Sequence, residues 1–248
     1  MKEETAALLR HYAETYETEA FINGDPSWFM HQVRGGDNQE ATAFIASSLS
    51  YGSRQQFMKK IGLIMDWSGG DVDRWVREGR YASHFTEGCH SSFYRLYSYD
   101  AMHRFLSAYR QLLHDVGTLG AYVRREATDG LGAVQAICRY FSSHGCGTVI
   151  PQDTQSACKR LCMFMRWMVR SGSPVDIGLW AHFIDRRTLI MPLDTHVLQQ
   201  SVRLGLMGSK TATMPAARRL TEVLATVFPD DPLRGDFALF GFGVTAGK

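Results

Sequence analysis

Lys159 opens the stretch SACKRLCMFMRWMVR (156–170), which is apolar on nearly every helical face. Such a helix belongs in an interior, where an ammonium is costly without a partner. Further on, Met191-Pro192-Leu193-Asp194-Thr195-His196-Val197 puts Asp194 just ahead of a helix, the position of an N-cap carboxylate. A capping position also keeps a carboxylate ionised and rigid, as it must be to assist a neighbouring amine or stabilise positive charge. Near the end, Asp236 and Phe240 are four residues apart, on one helix face. A carboxylate beside an aromatic ring can hydrogen-bond the edge of a flat heterocycle while the ring stacks on it.

Lys159, Arg166 and Arg170 fall within about 20° of a common line at 100° per residue, so one basic stripe runs down an otherwise apolar helix. Residues 156–203 hold seven Lys or Arg against three Asp, a local basic surface that suits a phosphate backbone. The alternative pairs Arg166 and Arg170 with Asp176 or Asp185, and both stay open.

The elements that must position these groups are helices. Ala41, Phe44, Ile45 and Leu49 repeat at helical spacing after Asp37 or Asn38. Phe57, Ile61, Ile64 and Met65 form a second stripe, preceded by Ser53 and closed by Ser68-Gly69-Gly70. Met102, Phe105, Leu106, Tyr109, Leu112 and Leu113 make a third, and Leu131, Val134, Ile137, Cys138 and Phe141 a fourth. Short helices follow from Leu193 to Leu204 and from Thr213-Met214-Pro215, with a last one through DFALFGF. No alternating run predicts a strand, so the fold class is all-α, with residues 80–92 and 143–155 irregular.

The 248 residues are 45% hydrophobic with a net charge of +2, so bulk charge announces no partner. Five cysteines in an odd count, without a CxxC pair, argue against a disulfide framework or zinc site and fit a reducing cytoplasm. His84, His90, His144 and His196 lack ligand spacing, so no metal is expected. No run of about eighteen apolar residues predicts a membrane span, and the protein is expected to be soluble and intracellular.

Taken together, Lys159, Pro192-Leu193-Asp194, and Asp236 with Phe240 resemble the helix-hairpin-helix DNA glycosylase superfamily. Its archaeal 8-oxoguanine glycosylase branch has these features in the same order. The segments CKRLCMFMRWMVR, VDIGLW, PLDTHV and DFALFG also resemble the hallmarks of a bacterial family without an assigned function. GDPSWF and the helical stretch after it look like the superfamily's opening helices. The chain departs from the pattern in three places. HGCGTVIPQDTQSACK stands where a Leu-Pro-Gly-Val-Gly hairpin is usual, Tyr51-Gly52 replaces the usual glutamines, and Phe240 replaces tryptophan.

The resemblance implies one glycosylase-like unit of two helical lobes with a cleft between them. Residues of about 38–143 would form a central lobe; 1–37 and 144–248 would carry the hairpin, the lysine and the aspartate. It implies a bifunctional DNA glycosylase and AP lyase, monomeric, cytoplasmic and associated with the nucleoid. Its partner would be double-stranded DNA holding an oxidised purine, foremost 8-oxoguanine, with no cofactor, metal or membrane. Lys159 would be the nucleophile, kept as a neutral amine by apolar surroundings, and Asp194 would orient it and stabilise the cationic sugar. Asp236 and Phe240 would grip the extruded base. Arg160, Arg166, Arg170 and His196 would hold the DNA backbone. Trp67, Trp75, Phe85 and Tyr94 are candidates for the opposite wall or for a wedge. Two readings compete: a non-catalytic DNA- or RNA-binding module of the same fold, and a helical interaction protein in which all these residues are structural.

Overall fold

Cys158 sits at φ +45, a left-handed conformation that a helix interior cannot contain. The helix expected from Ser156 therefore starts at Lys159 and runs to Val169. Ser156 instead forms an isolated antiparallel bridge with Thr213. The computed structural model describes residues 1–208 and 211–246.

In chain order the α-helices are α1 (Glu3–Tyr16), α2 (Trp28–His31), α3 (Gly36–Leu49), α4 (Arg54–Ser68), α5 (Val72–Arg77), α6 (Tyr99–Val116), α7 (Leu119–Glu126) and α8 (Gly130–Ser143). They continue with α9 (Lys159–Val169), α10 (Thr195–Arg203), α11 (Met214–Ala225) and α12 (Arg234–Ala246). One antiparallel pair, β1 (Ser92–Tyr94) and β2 (Tyr97–Ser98), interrupts them at and just beyond the end of the 80–92 segment expected to be irregular, where no strand was expected. Five residues are too few to set up an alternating pattern, so sequence periodicity is blind to it. Among the described residues the other regular elements are helices.

The chain forms two compact units: residues 1–25, 129–134 and 154–248, and residues 26–128 and 135–153. In the second, the expected α6 stripe is buried from Met102 through Leu113, and Ser98 caps that helix by accepting from Ala101 N at 3.0 Å. Helix α3 is buried at ten of its fourteen positions, so it is a central rod and not the one-sided helix its spacing predicts. Glu40 on α3 is also buried. Its two carboxylate oxygens accept from the backbone N–H groups of Leu119 (2.8 Å) and Gly120 (3.1 Å), anchoring the start of α7.

In the first unit α9 is the buried element, enclosed from Leu161 to Val169. The VDIGLW segment packs against its end. Trp167 O accepts from Ile177 N (2.9 Å) and Gly178 N (3.1 Å), and Trp180 meets Phe164 edge-on at 5.2 Å. Gly178 has φ +71, and a Cβ there would lie 2.8 Å from Ser171 Cα, so only glycine fits. Helix α12 packs closely against α1 and α11. A Cβ at Gly235 would come within 2.6 Å of Leu224 and one at Gly241 within 2.3 Å of Tyr16.

Candidate active site

Three helix beginnings in the first unit carry the groups of interest. Lys159 is the first residue of α9, and its Nζ lies 3.5 Å from Oδ2 of Asp194. Asp194 caps α10: its Oδ1 accepts from Val197 N at 2.8 Å. One carboxylate thus does both jobs, one oxygen fixed by the backbone and the other turned to the amine. Exposed pairs contribute at most about 1 kcal/mol to folding. With side chains 34% and 37% exposed, this pair is therefore not what holds the unit together.

The exposure of Lys159 differs from expectation. Its side chain is 34% exposed at the head of α9, as long cationic side chains can be at the edge of a core. That is how an otherwise buried helix tolerates it.

Asp236, in the first turn of α12, has a side chain only 15% exposed and accepts from Arg166 Nη1. Burial pushes its carboxyl above the ordinary range against the pull of Arg166, and the nearby Asp194 charge pushes it further. Lys159 acts in the opposite direction. The three groups therefore share one electrostatic site. One turn beyond Asp236, the half-buried Phe240 is held by the rings of Phe21 (4.9 Å) and Tyr16 (5.8 Å), both edge-on.

The basic stripe is not a surface. Arg166 and Arg170 are 3% and 2% exposed, because α9 is the core helix of its unit and the stripe faces carboxylates from other segments. Arg166 Nε donates to Asp176 (3.2 Å), and its guanidinium covers the Phe237 ring at 4.6 Å. Arg170 donates to Asp231 (2.8 and 2.7 Å), to Glu17 (2.6 Å) and to Asp176. Burial works against the Arg170 charge, but Asp231, Asp176 and Glu17 outweigh it and raise its pKa. Both arginines are thus structural and cannot grip DNA phosphates without leaving buried partners. Asp176 was one of the two pairings anticipated; Asp185 instead pairs with Arg187. Arg160 is half-buried, and His196 is exposed at the start of α10, where its ring abuts Gly243.

Of the aromatic candidates in the second unit, Trp75 and Phe85 are fully buried, and Tyr94 is 3% exposed. They build that unit's core and cannot act as a wedge. Trp67 is half-buried and stacks on His84 at 4.4 Å. No local sequence pattern signals Glu17, Asp231 or Arg234. Glu17 meets Arg170 across 153 positions, Asp231 meets it across 61, and Arg234 meets Glu17 across 217.

A cavity of about 540 Å³ lies beside Glu17, Arg170, Asp231 and Arg234, and its lining does not include Lys159, Asp194 or Asp236. Its walls carry four arginines and four carboxylates, a balance that favours neither anions nor cations. Among the described residues, no group of three or more His, Cys, Asp or Glu is placed to hold a metal. No described helix is long and apolar enough to cross a membrane.

No curated protein and no solved structure matches the chain. A family model described as "Protein of unknown function (DUF2400)" matches residues 25–245, nearly the whole length, and the chain belongs to that family.

Proposed function

We propose that this protein is a DNA-repair glycosylase with AP-lyase activity on a helix-hairpin-helix glycosylase-like fold, excising an oxidised purine, foremost 8-oxoguanine, from double-stranded DNA. The observation that carries the reading is the approach of Lys159 Nζ to Asp194 Oδ2 at 3.5 Å, beside a carboxylate, Asp236, in the same electrostatic site.

In this reading Asp194 takes a proton from the Lys159 ammonium, and the freed amine attacks C1′ of the damaged nucleotide. The N-glycosidic bond breaks, and the departing base takes up the proton that Asp194 had accepted, which returns Asp194 to its carboxylate form. Loss of the amine proton and opening of the sugar ring give a Schiff base between Nζ and C1′. Removal of a C2′ proton then expels the 3′ phosphate by β-elimination, and water releases the lysine. Asp194, ionised opposite the developing positive charge, stabilises the cationic sugar. Asp236 meets the hydrogen-bonding edge of the extruded purine, and Phe240 offers it a ring. A groove that only bound phosphates would gain nothing from two carboxylates beside its lysine, which favours the enzyme over the binding module.

The test is borohydride reduction of the protein incubated with an 8-oxoguanine duplex. A covalent protein–DNA adduct is expected with the wild type and none with Lys159→Ala. Absence of any adduct across oxidised-base and abasic duplexes would sink the reading.

A further inference from the structure

The cavity of about 540 Å³ beside Arg170 has the size usual for a small-molecule pocket, and Lys159, Asp194 and Asp236 are not among its walls. Its charges cancel in number, but their pairing is uneven. Arg170 is 2% exposed and donates to both Glu17 and Asp231, and Arg234 Nε donates to Glu17 at 3.1 Å. These two carboxylates are therefore already engaged. Arg10 is engaged as well, by Glu3 at 3.0 Å.

Several lining donors are not. Half-buried Arg186 forms no ion pair among the described residues: its Nε donates to Asp230 O at 2.9 Å, while Asp185 beside it in the chain pairs with Arg187. No Nη group of Arg186 or Arg234 donates to a described residue. The Ser171-Gly172-Ser173 loop leaving α9 lines the same cavity, and its three backbone N–H groups also donate to no described residue. Gly172 has φ +79, in the kind of turn that lets successive N–H groups converge on an anion. Guanidinium forks and backbone amides together complement a phosphate, whose oxygens each accept from more than one donor.

The remaining carboxylates, Glu14 and Asp230, are exposed and form no ion pair among the described residues. A bare phosphate would be repelled by them. A phosphate carried on a nucleoside offers them N–H donors instead, because a carboxylate accepts from the exocyclic amine of a base. Val227, Phe228 and Pro229 add an apolar stretch of wall.

We infer that this cavity binds the terminal phosphate of a nucleotide, with Arg186, Arg234 and the Ser171–Ser173 amides receiving the phosphate and Glu14 and Asp230 accepting from the amine of the base. The inference is independent of the lysine chemistry. A free nucleotide and a 5′-phosphorylated strand end present the same group.

Calorimetric titration of the full-length protein tests it with deoxyguanosine 5′-phosphate, deoxyguanosine and inorganic phosphate as separate probes. The nucleotide should bind at least roughly tenfold more tightly than either fragment. Arg186→Gln should weaken the nucleotide about tenfold without moving the thermal midpoint. Glu14→Ala should weaken the nucleotide and not inorganic phosphate. A short oligonucleotide with and without a 5′-phosphate separates the sources: a gain from that phosphate beyond the affinity of the free nucleotide assigns the cavity to strand ends, and no gain assigns it to free nucleotides. Absence of nucleotide binding overturns the inference, as does equal binding of inorganic phosphate. Binding that survives Arg186→Gln and is lost in Asp236→Asn overturns it too, because the nucleotide would then occupy the lysine site. A borohydride adduct without nucleotide binding in the cavity removes this inference alone, and cavity binding without an adduct removes the lyase reading alone.

Discussion

Asp194 holds its own helix with Oδ1, through Val197 N at 2.8 Å, while Oδ2 stands 3.5 Å from the Lys159 amine. The two duties can be separated by substitution. Asp194→Asn retains a side-chain oxygen able to cap α10 but loses the charge. It should keep the thermal midpoint within a degree or two while slowing adduct formation by about 100-fold or more. Asp194→Ala should lose both, with an added stability loss of about 1 kcal/mol from the missing cap. Thermal melts run beside trapping rates check this. Equal trapping by Asp194→Asn and wild type would leave Asp194 a cap only.

In the proposed reaction Asp236 serves the base and not the sugar, and the two steps respond differently. Asp236→Asn keeps the shape and an acceptor for Arg166 but presents a different hydrogen-bonding edge to the purine. Release of 8-oxoguanine should fall by about 100-fold, whereas cleavage of a ready-made abasic site, which has no base to recognise, should stay within a few-fold. Measuring both on one variant decides the assignment. Parallel losses would place Asp236 in the sugar chemistry instead.

Local features of the fold were legible where a single segment encodes them. The α6 stripe, the Ser98, Thr213 and Asp194 caps and the glycine stop of α4 can be read from neighbouring residues. The proximity of Lys159 and Asp194 was legible only as two suggestive positions, and their meeting needed the fold. What could not be read is whether a polar stripe on an apolar helix faces water or buried carboxylates. Lys159, Arg166 and Arg170 share that stripe, yet Lys159 emerges at the helix head while the arginines turn into Asp176, Asp231, Asp236 and Glu17. Helical periodicity fixes the face and is silent about its partner.

Arg170 binds Glu17, Asp176 and Asp231, drawing together α1, the VDIGLW segment and the turn before α12. Removing it leaves three carboxylates with little water and less countercharge. Arg170→Met should cost about 3–5 kcal/mol, the range for breaking a buried ion pair from one side. Arg187→Met, at an exposed pair with Asp185, should cost less than 1 kcal/mol. Urea denaturation of the two variants compares them directly. A similar small loss in both would mean the buried cluster relaxes or admits water.

The same cluster predicts how acid acts on the protein. Burial alone would raise the Glu17 carboxyl, but the Arg170 charge and its hydrogen bonds outweigh this and hold it below its ordinary value of 4.5. A carboxyl lowered by folding adds stability that is complete above its unfolded pKa and lost as pH falls through its folded one. The Glu17 contribution should therefore be intact at neutral pH and disappear below about pH 4.5. Glu17→Gln cannot titrate. It should be less stable than wild type at pH 7, and the gap should narrow as the pH is taken below 4.5. Unfolding free energies measured from pH 7 down to pH 3 test the sign. A constant gap across that range would mean that Glu17 contributes through packing and neutral hydrogen bonds, not through its charge.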